Sequence, residues 1–141
     1  MTSIIPLEIV NIEDGGCHIF LKCEINKSIV VNLILDTGAS KTVFNERLLE
    51  PYVSEIKDNE SIESSGISDV QLRSKSGKVN VLKFGNLYQE NKNIILMDLD
   101  HINKLYEKID NREIWGLLGG DFLSKYEATI NYKKKELIIN H

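Results

Sequence analysis

The chain has no run of about 18 apolar residues, the length a membrane-crossing helix needs. Its opening, Met1-Thr2-Ser3-Ile4-Ile5-Pro6, has no basic segment followed by a long apolar one. The expectation is therefore a soluble, cytoplasmic protein with no membrane partner. A basic surplus is missing too: 17 Lys and Arg stand against 21 Asp and Glu, a formal charge of -4. Without a surface that neutralises phosphates, nucleic acid is not an expected partner. Lys133-Lys134-Lys135, the densest cationic cluster, lies between two apolar segments and reads as a solvated hairpin turn.

Cysteine and histidine are scarce. Cys17 and Cys23 share parity, so on one strand they point to the same face about 20 Å apart at about 3.3 Å per residue and cannot bridge. Both are expected to be free, buried thiols that fill the core. A Cys17–His18 nucleophile pair is disfavoured because adjacent strand residues face opposite ways. His18, His101 and His141 have no metal-ligand spacing, so neither a metal nor another cofactor is expected. Asp98 and Asp100 beside His101 read as helix-capping carboxylates rather than ligands.

What is present is ordinary globular material: 141 residues, 42% apolar and 27% charged, enough for one domain spanning 1–141 with its own core. No tandem repeat is visible. Leu7 to Ile12 and Cys17 to Ile25 flank Glu13-Asp14-Gly15-Gly16, a hairpin signal. In the second segment Ile19, Leu21 and Ile25 alternate with Phe20, Lys22 and Glu24, as in a half-buried strand. Asn26-Lys27-Ser28 turns into Ile29 to Leu35, whose Ile29, Val31, Leu33 and Leu35 share one face. Thr42-Val43-Phe44 is β-like, and Asn45 caps a short helix that Pro51 ends.

The polar stretch from Val53 to Gly66 is expected to be exposed and mobile. Ser61 to Ser65, Asp69 to Arg73, Lys78 to Lys83 and Asn93 to Met97 read as strands, with a turn at Phe84-Gly85-Asn86-Leu87. Ile102, Leu105, Tyr106 and Ile109 recur at helical spacing and predict a helix from Asp100. Ile114 to Leu118 is an apolar strand broken at Gly119-Gly120. A short helix follows, turning Phe122, Leu123 and Tyr126 inward, and then a last hairpin of Ala128 to Tyr132 and Glu136 to Asn140. The fold class is all-β, a closed β-barrel-like architecture with two or three short helices.

The stretch that carries chemistry is Leu33-Ile34-Leu35-Asp36-Thr37-Gly38-Ala39-Ser40. An apolar strand runs straight into a carboxylate, a costly place for an ionised Asp unless hydrogen bonds or a function hold it there. Together with Leu117-Leu118-Gly119 and the helix after it, this segment resembles the retropepsin-type aspartic proteases, the single-domain class that includes retroviral enzymes and bacterial relatives. The likeness extends in layout over nearly the whole chain.

The resemblance implies the acid protease fold and an aspartic endopeptidase. One Asp comes from each subunit, so a chain with a single Asp-Thr-Gly would act only as a two-fold homodimer. It implies Asp36 as the acid/base, Thr37 as a bond across the axis, Gly38 as a close backbone approach lending its N–H, and Leu117, Leu118 and Gly119 as the prop beneath. Ala39 lacks the hydroxyl that a Ser or Thr would offer the carboxylate, so a mildly acidic to neutral optimum is expected. Asp121 reads as a first-turn helix carboxylate rather than an intrachain partner of Asp36. A flap over an extended peptide or protein substrate is assigned to Ser61 to Arg73 with its tip near Gly66, and Gly77 as second choice.

Two other classes compete. One is a catalytically idle dimeric peptide-binding module of the same fold. The other is an actin-like or sugar-kinase ATPase, in which an Asp-x-Gly loop also follows a strand; that fold needs two domains and a further phosphate loop. Ile4-Ile5 and Leu137-Ile138-Ile139 fit either an intersubunit sheet or strands of the chain's own core.

Overall fold

The computed structural model describes residues 1–59, 63–64, 71–109 and 111–141. In chain order it contains β1 (Thr2–Pro6), β2 (Glu8–Asn11), β3 (Cys17–Ile25), β4 (Ile29–Leu35), β5 (Val43–Asn45), α1 (Glu46–Leu49) and β6 (Ser54–Asp58). There follow β7 (Glu63–Ser64), β8 (Gln71–Leu72), β9 (Lys75–Phe84), β10 (Leu87–Met97), α2 (Asp100–Ile109), β11 (Gly116–Leu118), α3 (Gly120–Lys125), β12 (Thr129–Asn131) and β13 (Glu136–Asn140). No helix among the described residues is long and apolar enough to cross a membrane.

Turn chemistry sets the first registers. Asn26 and Lys27 both adopt positive φ, 53° and 54°, the geometry of a two-residue turn whose twist matches its flanking strands. The Ser28 N–H closes that turn on the Ile25 carbonyl at 2.9 Å. Asn26 also ties the turn to the neighbouring strand, its Oδ1 accepting from the N–H groups of Asn80 and Val81. At the β9–β10 turn, Gly85 takes φ +58°, a left-handed conformation that glycine adopts at no steric cost.

Strand order closes the sheet. β3-β4-β11-β5-β10-β9 are paired in sequence and β9 pairs back to β3, giving a six-stranded barrel with β2 and β6 attached at its margins. Side-chain parity divides the interior. Ile19, Leu21, Cys23 and Ile25 of β3 and Val31, Leu33 and Leu35 of β4 point into the barrel core. Phe20 and Ile34, of opposite parity, join Tyr106 and Ile114 in a second cluster under α2.

Several expectations change here. Cys17 is exposed while Cys23 is buried, because Cys17 begins β3 at the barrel's margin. Leu105 is exposed; α2 turns only Ile102 and Tyr106 of the described helix positions onto the second cluster, whose outer side is solvent. The α-helix does end just before Pro51, with Leu49 its last residue and Glu50 its C-cap; the addition is a 3-10 turn, Glu50–Tyr52, whose first positions accept Pro51 because a proline there loses no hydrogen bond. Part of the polar Val53 to Gly66 stretch is a strand: β6 is exposed along its length yet pairs with β9. Gly77 lies inside β9, buried and opposite Ile94, and is no flap tip.

β7 and β8 pair antiparallel, Glu63 with Leu72 and Ser64 with Gln71. Gly66 lies outside the described residues. The two chain ends pair with each other in one molecule: β1 runs antiparallel to β13 from Thr2 opposite Asn140 to Pro6 opposite Glu136, and β12 flanks β13. Ile5, Leu137 and Ile139 of this sheet are buried in the barrel core.

Candidate active site

The end of β4, Leu33 to Leu35, is buried, and Asp36 is the residue that emerges from it. Asp36 is half-buried, Thr37 and Gly38 are exposed, and Ala39 is half-buried. The loop holds its own carboxylate: the Gly38 N–H donates to Asp36 Oδ1 at 3.0 Å, and the Ala39 N–H to the Asp36 carbonyl at 3.2 Å. The barrel grips it from below. β11 lies between β4 and β5, parallel to the first and antiparallel to the second, and the Asp36 N–H donates to the Leu118 carbonyl at 3.0 Å.

Leu118 is fully buried in the barrel core, whereas Leu117 packs on the second cluster. Gly119 is where loop and prop touch. A Cβ there would lie 2.7 Å from the carbonyl oxygens of Ala39 and Lys41, so only glycine fits. The Gly120 N–H then donates to the Ala39 carbonyl at 2.7 Å and the Asp121 N–H to the Ser40 carbonyl at 3.1 Å.

One clasp was not legible in the sequence. Asp121 Oδ1 accepts from the Thr42 N–H at 2.9 Å, the Thr42 hydroxyl at 2.8 Å and the Phe122 N–H at 2.8 Å. Thr42 Oγ1 in turn accepts from the Gly119 N–H at 3.0 Å. Burial pushes the Asp121 carboxyl up, but the bonds from Thr42 and Phe122 together outweigh it and hold the group below the usual carboxylate range. Asp121 is thus turned toward α3 and Thr42, as its place in the first helical turn suggests. Its bonds to Thr42 depend on the far end of the loop arriving at that point, which no local signal encodes.

A tyrosine also enters the site's surroundings. The Tyr106 ring sits edge-on to Phe20, and its hydroxyl pairs with His18 Nδ1 at 2.7 Å. Burial, and after it the charge of Asp36, push the Tyr106 phenol up. Ile34 and Leu117, on the strands that deliver and prop the Asp36 loop, belong to or pack on the same apolar cluster as this ring.

These elements match a known sequence family. Residues 21–125 fit the family described as "gag-polyprotein putative aspartyl protease". The chain belongs to this family. Its retropepsin-like fold is shared with two crystal structures. A retropepsin-like aspartic protease from Rickettsia conorii superposes with TM-score 0.53 at 16% identity, over 99% of this chain and 90% of that one. The retroviral protease-like domain of Ddi1 from Leishmania major gives 0.52 at 17% identity, over 86% and 87%. No curated protein sequence matches the chain. Among the described residues no group of His, Cys, Asp and Glu is placed to hold a metal ion.

Proposed function

We propose that this retropepsin-like chain is an aspartic endopeptidase that works as a two-fold homodimer, with Asp36 of each copy meeting at the axis. The observation that carries the reading is the Asp36 loop itself. A carboxylate emerges from a buried strand, takes a hydrogen bond from the next glycine and sits on a backbone clamped by β11 and α3, with its tip at Thr37 and Gly38 open to a second copy. Rigid support of this kind is what positioned acid–base chemistry requires.

Two carboxylates held about 3 Å apart cannot both ionise at neutral pH, so the pair shares a proton and holds one water between its members. The ionised member takes a proton from the water as it attacks the peptide carbonyl. The protonated member donates to the developing oxyanion, and the roles reverse as the amine leaves. In this reading Thr37, exposed at the loop tip, supplies the bond across the axis. The substrate is a peptide or unfolded protein segment in extended conformation, bound by strand addition.

The test is cleavage of an unfolded protein by the purified chain, by Asp36→Asn and across a dilution series. Cleavage by the wild type alone, with specific activity falling as the dimer dissociates in sedimentation, supports the proposal. The pH–rate profile is expected to peak at mildly acidic to neutral pH, since Ala39 offers the carboxylate no hydroxyl. A dimer that binds a statine peptide and cleaves nothing would be an idle peptide-binding module. A chain that stays monomeric at all concentrations would end the proposal.

A further inference from the structure

Between β5, β9, β10 and α3 lies a cavity of about 170 Å3 whose floor is formed by Phe44, Leu82, Phe84, Ile94 and Phe122, all members of the barrel core. A void of about 150 Å3 with such a lining is enough to take a benzene ring. Aromatic faces dominate one wall: the Phe122 ring lies 4.7 Å from Phe84 and 4.8 Å from Tyr126, centroid to centroid.

The mouth is of opposite character. Lys92 and Lys125 stand there with Gln89, which donates to the Tyr126 hydroxyl at 2.9 Å. The Lys125 ammonium overhangs the Tyr126 ring at 5.4 Å. Neither lysine forms an ion pair with a described residue, whereas Lys75 and Lys78 on β9 pair with Glu46 and Glu55. The one carboxylate among the described lining residues, Asp121, has its Oδ1 committed to Thr42 and Phe122. An apolar chamber with unpaired cations at its entrance is complementary to a ligand with an apolar body and one negative end.

We propose that this cavity is a binding site for a small aryl- or alkyl-carboxylate, its apolar body against Phe84 and Phe122 and its carboxylate between Lys92 and Lys125. Asp36 does not line the cavity, so the site stands whether or not the chain cleaves peptides. Occupancy nevertheless reaches the Asp36 loop, because Thr42 and Asp121 belong both to the cavity wall and to the clasp on Gly119.

The experiment is an amide NMR titration of the full chain with 3-phenylpropionate, and with 3-phenylpropionamide as the uncharged twin. Saturable shifts at Ile94, Phe122 and Tyr126 that extend to Gly119 are expected. Affinity should weaken at least about threefold for the amide, and likewise for the acid against the Lys92→Gln/Lys125→Gln variant. Both lysines lie at the mouth rather than in the core, so this variant keeps the fold. Shifts that never saturate, equal binding of acid and amide, or affinity indifferent to the lysines would overturn the site.

Discussion

Asp121 and Gly119 do for the Asp36 loop what its own residues cannot: one gathers three donors onto a single oxygen, the other lets two backbones touch. Gly119→Ala should displace the loop and cost about 1–3 kcal/mol, because the added methyl meets backbone carbonyls rather than a side chain that can swing away. Urea unfolding followed at Trp115, the single tryptophan, measures it. For Asp121 the folded carboxyl titrates below its ordinary value of 3.8, so its stabilising contribution is present above that pH and is lost as pH falls through the lower folded value. Asp121→Asn should therefore show a shallower loss of stability below about pH 4 than the wild type, read from unfolding midpoints across an acid series. The strand-into-Asp36 pattern, the glycine before α3 and the place of Asp121 in the first helical turn are readable in the sequence. The Thr42–Asp121 bonds join positions far apart in the chain, and neither residue type alone announces them.

At the scale of elements, α2 is a helix for local reasons, but its docking on the barrel is not local. Its apolar positions are few, and Leu105 among them faces solvent. Polar clamps fasten it instead. Asn103, buried on α2, donates from Nδ2 to the Ile114 carbonyl at 3.0 Å and accepts the Ile114 N–H at 2.6 Å, replacing the strand partner that Ile114 lacks. Just beyond the helix, Arg112 makes two bonds to Glu8, at 2.6 and 2.7 Å, and covers the Phe20 ring at 4.4 Å. Asn103→Ala leaves both backbone groups of Ile114 unpaired in the interior and should cost about 2–4 kcal/mol by chemical denaturation. The helix itself was legible from its spacing. Which residues it would bury was not, because Phe20 reads as a surface position of β3 until a helix is laid over it.

For the whole molecule, closure is the decisive event. The barrel exists because β9 returns to β3 and because β11, late in the chain, slides between β4 and β5. The terminal sheet adds a second long-range tie: the His141 N–H donates to the Met1 carbonyl at 2.7 Å, and β1 pairs with β13 along its length. Deleting residues 1–6 uncovers Leu137 and Ile139 and removes the buried Ile5, so the truncated chain should lose at least about 2–5 kcal/mol, the cost of emptying one such core position, and its cooperative melting transition should drop or vanish. Among the described strands, pairing of the ends within one chain leaves β13 flanked on both sides, by β1 and β12, while β1 keeps one open edge.

What the sequence determined by itself is local. Alternating parity settled which faces of β3 and β4 turn inward, the Asn26-Lys27 and Gly85 turns settled their hairpins, and an apolar strand ending in Asp36 marked where a carboxylate would surface. These depend on near neighbours, whose period and φ preferences a reader can see. Tertiary structure alone decided that β11 would enter between β4 and β5, that Thr42 would meet Asp121, that Phe20 would be covered by α2 and that the chain ends would zip together. Such contacts form only when the barrel closes, and the free energy that selects them is shared among strands far apart along the chain, leaving no mark on any one stretch.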